Sequence, residues 1–270
     1  MSLPAEFEAR IAGLDLSLFA AIDSQSDDGD RRSWLALQRL VRRWNGSYTY
    51  LEIGSYLGGS IQPHLLDPRC RKILSIDNRP AGELPDDRGQ GFRYADNSTA
   101  RMLANLRAVD AGQVAKVISF EADARGVDPA RLPDRPDLCF IDGEHTRSAV
   151  MSDFELCARV CADRAIIYFH DDWVVYPALA QILRQLGKQG RRFTVFKLLG
   201  STFAIGLGDS DIAADDFLRE VAVDGRRFIR RQRVRRFLRQ IVQRIVPAPL
   251  RPAARWLRRL FRGVEVMRWN

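Results

Sequence analysis

The sequence is poor in the residues that build thiolate metal sites, disulfide frameworks and membrane spans. Only four of the 270 residues are cysteine and three are histidine. Cys157 and Cys161 stand one helical turn apart without further Cys or His at metal-site spacing, which favours buried small side chains in a reducing compartment. No stretch approaches the ~20 apolar residues that cross a bilayer, and the N-terminal stretch lacks the basic and apolar regions of a signal peptide. These absences predict a cytoplasmic protein.

Positive charge is concentrated at one end of the chain. Residues 225–270 contain fifteen arginines and a single acid, Glu265, so this stretch carries +14. Because the whole chain carries +8, residues 1–224 carry −6. Apolar residues recur at helical spacing in residues 228–246 and 250–264, which predicts two basic amphipathic helices broken by Pro247 and Pro249. Three interpretations of residues 226–264 remain. They lie on an anionic membrane surface at the inner face, they bind nucleic acid, or they pack against the protein's own core or against a partner such as a second copy.

The order of apolar segments predicts an α/β fold preceded by a helical segment. Apolar residues at 34, 37, 40 and 41 share one helical face, and Asn45-Gly46 ends that helix. Short apolar runs then alternate with helical stretches, a pattern typical of a doubly wound, mostly parallel sheet. The predicted organisation is a helical segment 1–47, an α/β domain 48–208 and a basic tail 209–270. The predicted strands are 48–53, 72–76, 117–120, 138–141 and 165–169, followed by an antiparallel pair at 193–198 and 203–207. The predicted helices are 99–109 and 178–186, and residues 82–91 are predicted to be a loop.

Two neighbouring strands of this predicted sheet end in clusters of ionisable residues. The run Leu138 to Ile141 is followed by Asp142-Gly143-Glu144-His145, and the run Ala165 to Phe169 by His170-Asp171-Asp172. A crossover helix between parallel strands brings both carboxyl ends to the same edge of the sheet. That edge is where open α/β sheets bind ligands. Crowded carboxylates also repel each other and raise their pKa values, which is an independent reason to expect a nearby cation.

A glycine-rich turn follows the first strand and an acid follows the second. The turn Gly54-Ser55-Tyr56-Leu57-Gly58-Gly59-Ser60 allows close approach of a ligand to the backbone. Its spacing differs from the G-x-G-x-x-G of nicotinamide-binding folds. Asp77 stands where an acid accepts hydrogen bonds from ribose hydroxyls. Asp123, after the third strand, is either an adenine ligand or a helix cap.

These motifs together resemble class I S-adenosylmethionine-dependent methyltransferases. More narrowly, residues 48–207 are similar to the macrocin-type sugar O-methyltransferases of methyltransferase family 24 and their cephalosporin-hydroxylase-like relatives. The resemblance is carried by the sequence segments 51–60, 75–77, 140–145 and 169–172, together with Asp153. It implies a seven-stranded doubly wound, Rossmann-like sheet whose last strand is antiparallel.

The resemblance also implies roles for individual residues. S-adenosylmethionine would be held by Glu52, Gly54, Ser55, Tyr56, Gly58, Ser60, Asp77, Asp123 and Asp142. A divalent cation, usually Mg²⁺, would be held by Asp142, Asp171 and Asp172. The base would be His145 by comparison with one branch of the family and Glu144 by comparison with another. Arg147 departs from the family, which usually has an aromatic residue there, and this places the substrate pocket in question.

The chemistry of these residue types suits methyl transfer to a hydroxyl group. A sugar hydroxyl is a poor nucleophile, so a cation that lowers its pKa and a base that removes its proton both help. Two alternatives remain at this point. A nucleic-acid methyltransferase would explain the arginines, but the Asp/Asn-Pro-Pro-aromatic motif of base-methylating enzymes is missing after residue 141. A non-catalytic, membrane-associated binding module with the same fold is the other.

Overall fold

The fold is an eight-stranded mixed sheet covered by helices. A computed structural model describes residues 3–79 and 83–245. The main sheet has the order β10-β8-β9-β7-β6-β1-β2-β5. Strands β1, β2, β5, β6 and β7 are parallel, whereas β9 pairs antiparallel with both β7 and β8. The strands are β1 Tyr48–Ile53, β2 Cys70–Ile76, β3 Glu83–Pro85, β4 Gly91–Arg93, β5 Val117–Phe120, β6 Leu138–Ile141, β7 Ala165–Phe169, β8 Phe193–Lys197, β9 Phe203–Leu207 and β10 Val223–Asp224.

Helices fill the connections and lie on both faces of the sheet. The α-helices are α1 Leu3–Ala12, α2 Asp28–Asn45, α3 Gln62–Leu66, α4 Thr99–Asp110, α5 Arg147–Val160, α6 Asp172–Lys188, α7 Asp216–Val221 and α8 Gly225–Ile245. Alternate residues of a strand face opposite sides of a sheet. On one face Phe140 stacks on Tyr168 with ring centroids 4.5 Å apart, and Trp34 of α2 packs against Phe140 at 4.8 Å. On the other face Phe169 of β7 stacks on Phe154 of α5 at 6.4 Å.

The helix α2 is fixed to the sheet by its sequence at both ends. Asp27 and Asp30 form a capping box at its start, in which each side chain accepts a hydrogen bond from the backbone N–H of the other. Gly46 ends the helix with φ of +69°. Between these ends Trp34, Leu37 and other apolar residues are buried against the central strands. The segment before β1 is therefore part of the core.

The chain divides into two compact units between Arg226 and Arg227. The second unit contains most of α8, in which the side chains of Val234 and Phe237 are 52% and 61% exposed. These two residues lie three apart and so share one face of the helix. The second predicted basic helix, residues 250–264, lies outside the described residues. Within the described residues, no helix is both long enough and apolar enough to cross a membrane.

Three predictions about elements were wrong in detail. The sheet has eight strands instead of seven, because the two-residue β10 adds to its edge, and two residues carry no periodicity to detect. Residues 82–91 are not simply a loop, since β3 and β4 form a short antiparallel hairpin there. Helix α6 begins at Asp172, well before the predicted residue 178, because Pro177 is accommodated inside its first turns. The predicted parallel strands are confirmed.

Candidate active site

A cavity opens at the edge where the parallel strands end. Its walls are the segments that follow β1, β2, β5, β6 and β7, which is the edge predicted from the sequence. The predicted site residues that line it are Gly54, Ser55, Tyr56, Ser60, Asp77, Asp123, Asp142, Glu144, His145 and Asp171. Glu52, Gly58 and Asp172 are not among its lining residues. The topology thus brings most of the predicted residues together.

The glycine turn is shaped by contacts with the rest of the protein. Gly54 has φ of +91°, and a Cβ atom on it would lie 2.2 Å from the carbonyl oxygen of Asp142. Glycine is therefore required for the turn after β1 to pass the turn after β6. Asp77 holds the other side of the turn, because its Oδ2 accepts a hydrogen bond from the Tyr56 N–H at 2.9 Å. Its Oδ1 accepts from the Arg79 N–H at 2.8 Å.

Glu52 lies behind the turn, fully buried. Its carboxyl group accepts hydrogen bonds from the hydroxyls of Tyr50, at 2.8 Å, and Ser60. Burial raises the pKa of Glu52 to about 8, despite the opposing effect of these two donors. Gly58 likewise packs away from the cavity, where a Cβ atom would meet Leu106 of α4 at 3.2 Å. The structure places both residues in support of the turn.

His145, one of the two residues predicted to act as base, lines the cavity beside two carboxylates. Its Nε2 atom is buried without a hydrogen-bond partner and lies 3.6 Å from Asp142 Oδ1 and 3.8 Å from Asp171 Oδ2. Burial lowers the pKa of His145, but Asp142 and Asp171 outweigh burial and raise it above its usual value. Glu144, the alternative base, accepts a hydrogen bond from the Thr146 hydroxyl at the start of α5. Of the two, only His145 faces both carboxylates.

His170 lies behind Asp142, between two carboxylates. Its Nδ1 atom is 3.2 Å from Asp142 Oδ1, and its Nε2 atom is 3.2 Å from Oδ2 of Asp30 in α2. Burial lowers the pKa of His170, but Asp142 and Asp30 outweigh burial and raise it to about 11. The histidines in turn reverse the effect of burial on Asp142 and lower its pKa to about 2. At neutral pH this gives an imidazolium beside an ionised carboxylate.

The described residues do not fit the three-carboxylate magnesium site that the resemblance implies. Asp172 is buried and forms an ion pair with Lys197 Nζ at 2.8 Å. Asp142 is engaged by His170, and no group of three or more His, Cys, Asp or Glu side chains within residues 3–79 and 83–245 is arranged to hold a metal ion. The positive charge expected beside these carboxylates comes from the protein itself. His170 lies beside Asp142, and Lys197 lies beside Asp172.

Asp171 and Asp172 are also not side-chain caps of α6. Asp171 stands at the N-cap position with φ of +49°, but its side chain makes no capping hydrogen bond. A non-glycine residue in this left-handed region is strained, and such strain persists where surrounding structure fixes it. Because the carboxylate is not used as a cap, it is available to face His145.

At the far side of the cavity two further aspartates differ in environment. Asp123 is paired with the Arg125 guanidinium at 2.7 and 2.8 Å, and this partner lowers its pKa. It also caps the short turn that starts at Ala124, as the alternative interpretation of the sequence predicts. Asp153 of α5 is only 5% exposed, and burial together with Asp123 and Glu144 raises its pKa to about 8. It therefore presents a largely neutral carboxyl group to the cavity.

Sequence reasoning missed the contribution of the N-terminal segment. Residues 23–26 and Trp34 line the cavity, and Asp30 reaches His170. The capping-box spacing of Asp27 and Asp30 predicts a helix start, but it does not predict the second partner of Asp30. Tyr94, after the β3–β4 hairpin, also lines the cavity and packs edge-on against Tyr56 at 5.1 Å. Arg147 is exposed and donates its backbone N–H to Asp87 at 3.1 Å, outside the cavity.

Sequence comparison identifies the part of the chain that carries this site. Residues 51–171 match the family model described as a methyltransferase domain. This segment is less than half of the chain, and we call it the methyltransferase domain after the model that it matches. The resemblance inferred from the motifs is thereby confirmed at the level of the class. The methyltransferase domain includes Asp142, His145, His170 and Asp171, whereas Asp30 lies before it.

Further comparisons extend the similarity to the fold. An uncharacterized protein, R132, of Acanthamoeba polyphaga mimivirus is 26% identical over 140 residues, which cover 52% of this chain and 58% of that protein. This chain therefore matches little more than half the length of that relative. The calicheamicin methyltransferase CalS11 has a TM-score of 0.53 at 14% identity, covering 77% of this chain and 92% of its own. The O-methyltransferase NovP has a TM-score of 0.52 at 13% identity, covering 65% and 79%. Both have the class I fold described here.

Proposed function

We propose that the protein is an S-adenosylmethionine-dependent O-methyltransferase that methylates a hydroxyl group of a saccharide or of a glycan or glycolipid precursor. The single observation that carries the proposal is the buried, unbonded Nε2 of His145, placed beside Asp142 and Asp171 on the ligand-binding edge of a methyltransferase domain. A base without a hydrogen-bond partner, in a cavity, is available to accept the proton of a bound hydroxyl.

The walls of the cavity suit the cofactor. The cavity is lined by the glycine turn, Asp77 and Tyr94, and also by Ala122 to Ala124 and Asp153. S-adenosylmethionine supplies a methyl group activated by its sulfonium. We assign Asp77 to the ribose, whose hydroxyls would donate hydrogen bonds to its carboxylate alongside the N–H groups of Tyr56 and Arg79. We assign Ser55, Tyr56 and Ser60 to the same binding surface.

In the proposed reaction, the acceptor oxygen attacks the methyl carbon as the carbon–sulfur bond breaks. The electron pair of that bond passes to sulfur, and the hydroxyl proton passes to Nε2 of His145. Asp142 and Asp171 then stabilise the imidazolium that forms, since both carboxylates face Nε2. General-base catalysis of this kind contributes on the order of 10²–10⁴ in rate. Alignment of two substrates in one cavity contributes more.

The polar wall contributed by the N-terminal segment supports a polyhydroxylated acceptor. Ser24, Gln25 and Ser26 line the cavity with hydroxyl and amide groups, and the side chains of Ser24 and Ser26 accept hydrogen bonds from Arg31 at 3.3 and 3.1 Å. Such groups both donate and accept hydrogen bonds, as recognition of sugar hydroxyls requires. A purely apolar acceptor would make no use of the hydrogen-bonding capacity that these groups still have.

Two measurements test this function. Calorimetry of the full-length protein with S-adenosylhomocysteine is expected to show saturable binding, and the lack of any binding heat would rule the function out. Mass spectrometry of surface glycans and lipids, from cells with and without the gene, is expected to reveal a saccharide that loses the mass of one CH₂ group. An unchanged glycan profile together with a changed small-molecule profile would redirect the search for the acceptor.

We further propose that α8 attaches the protein to an anionic membrane surface. Val234 and Phe237 are exposed on one face of α8, and arginines occupy much of the rest of its surface. An exposed apolar stripe flanked by cations is the pattern of helices that lie in the headgroup region. Full-length protein is expected to float with phosphatidylserine-containing liposomes. The double variant Val234→Asp, Phe237→Asp is expected to float less. Equal flotation of both proteins would contradict membrane attachment.

A further inference from the structure

The methyltransferase domain depends on a carboxylate that lies outside it. Four side chains form a line from the N-terminal helix to the cavity: the buried Asp30 and His170, then the partly exposed Asp142 and His145. We call this line the histidine–carboxylate chain. Asp30 is 2% exposed and His170 is 7% exposed, so water is largely excluded from their contact.

Asp30 is held by more hydrogen bonds than a helix cap needs. Its Oδ1 accepts from the Ser201 N–H at 2.7 Å and from the Thr202 hydroxyl at 2.9 Å. Trp34 donates its indole N–H to the same Thr202 oxygen at 2.9 Å. The connection between β8 and β9 is shaped around this carboxylate, because a Cβ atom on Gly200 would lie 2.4 Å from Asp30 Oδ1. The position of Oδ2, which faces His170, is thereby fixed.

His170 transfers this fixed position to Asp142. Both of its ring nitrogens lie 3.2 Å from a carboxylate oxygen, so both ring N–H groups have an acceptor. The ring is also held edge-on against Trp34, with centroids 5.5 Å apart. Rotation of the ring would break both contacts at once. The position of Asp142 Oδ1 is therefore fixed by contacts from α2 and from the β8–β9 connection, in addition to its own strand.

We propose that Asp30 and His170 are positioning residues, which hold the Asp142 carboxylate beside Nε2 of His145. The proposal rests on the function proposed above, because it assigns His145 as the base. A purely stabilising role explains the arrangement less well, since burying two carboxylates around one imidazolium costs desolvation energy that apolar packing avoids. It also means that the segment before residue 48 completes the active site.

The presence of only three histidines allows a direct spectroscopic test. In full-length protein labelled with ¹⁵N-histidine, the ring signals of His64, His145 and His170 are assigned with the variant His145→Gln. Asp30→Asn keeps the size of the side chain but replaces Oδ2, which faces His170 and also accepts the capping hydrogen bond from the Asp27 N–H. We expect it to remove one ring proton from His170 and to shift the His145 ring signals, while affinity for S-adenosylhomocysteine stays within about twofold.

Asp215→Asn is the matched control. Asp215 is fully buried and accepts two hydrogen bonds from Arg39 of α2, at 2.7 and 2.8 Å, without any contact with the cavity. The variant Asp215→Asn should lower the thermal midpoint of unfolding and leave the His145 signals unchanged. Thr202→Val removes a hydrogen bond to Asp30 but leaves the negative charge of Asp30 in place. It should shift the His145 signals in the same direction as Asp30→Asn does, by a smaller amount. It also serves if Asp30→Asn does not fold.

Unchanged His145 signals in Asp30→Asn, or equal shifts in Asp30→Asn and Asp215→Asn, would overturn the positioning role. The readout needs no methyl transfer and no acceptor. A protein that fails to bind S-adenosylhomocysteine but shows the His145 response would refute the proposed function and leave the coupling between Asp30 and His145 standing.

Discussion

Asp172 pairs with Lys197 at 2.8 Å, whereas its neighbour Asp171 lines the cavity and faces His145 at 3.8 Å. Two adjacent aspartates thus have separate partners. A magnesium site built from Asp142, Asp171 and Asp172 would have to break the ion pair with Lys197 and leave that ammonium group without its carboxylate. Breaking a buried ion pair costs about 3–5 kcal/mol.

Removal of divalent cations is therefore expected to leave activity nearly unchanged. With EDTA present, turnover on the acceptor should fall less than about twofold, because His170 already supplies the positive charge beside Asp142. The assay measures methyl transfer from S-adenosylmethionine before and after chelation, and again after Mg²⁺ is added back. A loss of tenfold or more that Mg²⁺ restores would contradict this prediction.

Replacement of His145 is expected to remove the chemical step and spare cofactor binding. His145→Gln should lower kcat by roughly 10²–10⁴-fold, while calorimetry shows S-adenosylhomocysteine affinity within about twofold of the original. Glu144→Gln is the matched control, because Glu144 also lines the cavity but is hydrogen-bonded to Thr146. A larger loss in Glu144→Gln than in His145→Gln would transfer the role of base to Glu144.

The same base predicts the direction of the pH dependence. His145 accepts a proton only when it is neutral, so kcat/KM should rise with pH through its pKa. Asp142 and Asp171 raise that pKa above the usual value of about 6.5. The inflection in a plot of kcat/KM against pH is accordingly expected above 6.5, and Asp171→Asn should move it down. An inflection below 6.5 would be inconsistent with this assignment.

The close approach of two turns makes Gly54 sensitive to substitution. Gly54→Ala should lower the free energy of unfolding by roughly 3 kcal/mol or more, because its Cβ would overlap the Asp142 carbonyl. Gly46 has a similarly positive φ of +69°, but a Cβ atom on it would meet nothing within 4 Å, so Gly46→Ala isolates the conformational cost of about 1–2 kcal/mol. Urea denaturation of both variants measures the difference. Equal losses would show that the overlap is relieved cheaply.

Asp153 is expected to make stability depend on pH. Its pKa of about 8 in the folded protein exceeds the value of about 3.9 in an unfolded chain. Below pH 4 the group is neutral in both states. As pH rises towards 8 the unfolded chain gives up the proton first, so the free energy of unfolding falls.

In the variant Asp153→Asn the side chain at this position stays neutral at every pH. Its free energy of unfolding therefore lacks the fall that ionisation of Asp153 causes as pH rises. Its stability relative to the unsubstituted protein should increase between pH 4 and pH 8 by on the order of a few kcal/mol, as measured by urea denaturation at both values. The exposed Asp163 offers a control, since Asp163→Asn removes a carboxylate in a solvated position. If the advantage of Asp153→Asn were the same at both pH values, the raised pKa would be refuted.

Sequence pattern alone predicts seven of the ten strands in the described residues, and the edge of the sheet that carries the site. Buried parallel strands such as Leu138–Ile141 and Ala165–Phe169 are continuous apolar runs, and the polar residues that follow them must lie at their carboxyl ends. The sequence also predicts Asp142, His145 and Asp171 on one edge, because parallel strands joined by a crossover helix end on the same side of the sheet. The class of the methyltransferase domain followed from those motifs.

The pairing of those side chains depends on how distant elements pack together. His170 and Asp30 are 140 residues apart, and no local spacing connects them. Likewise, Asp172 meets Lys197, which lies in β8. Charge pairing depends on distances of a few ångströms between elements far apart in sequence. Residue type and periodicity indicate which groups reach the edge of the sheet, but packing determines which partner each one meets.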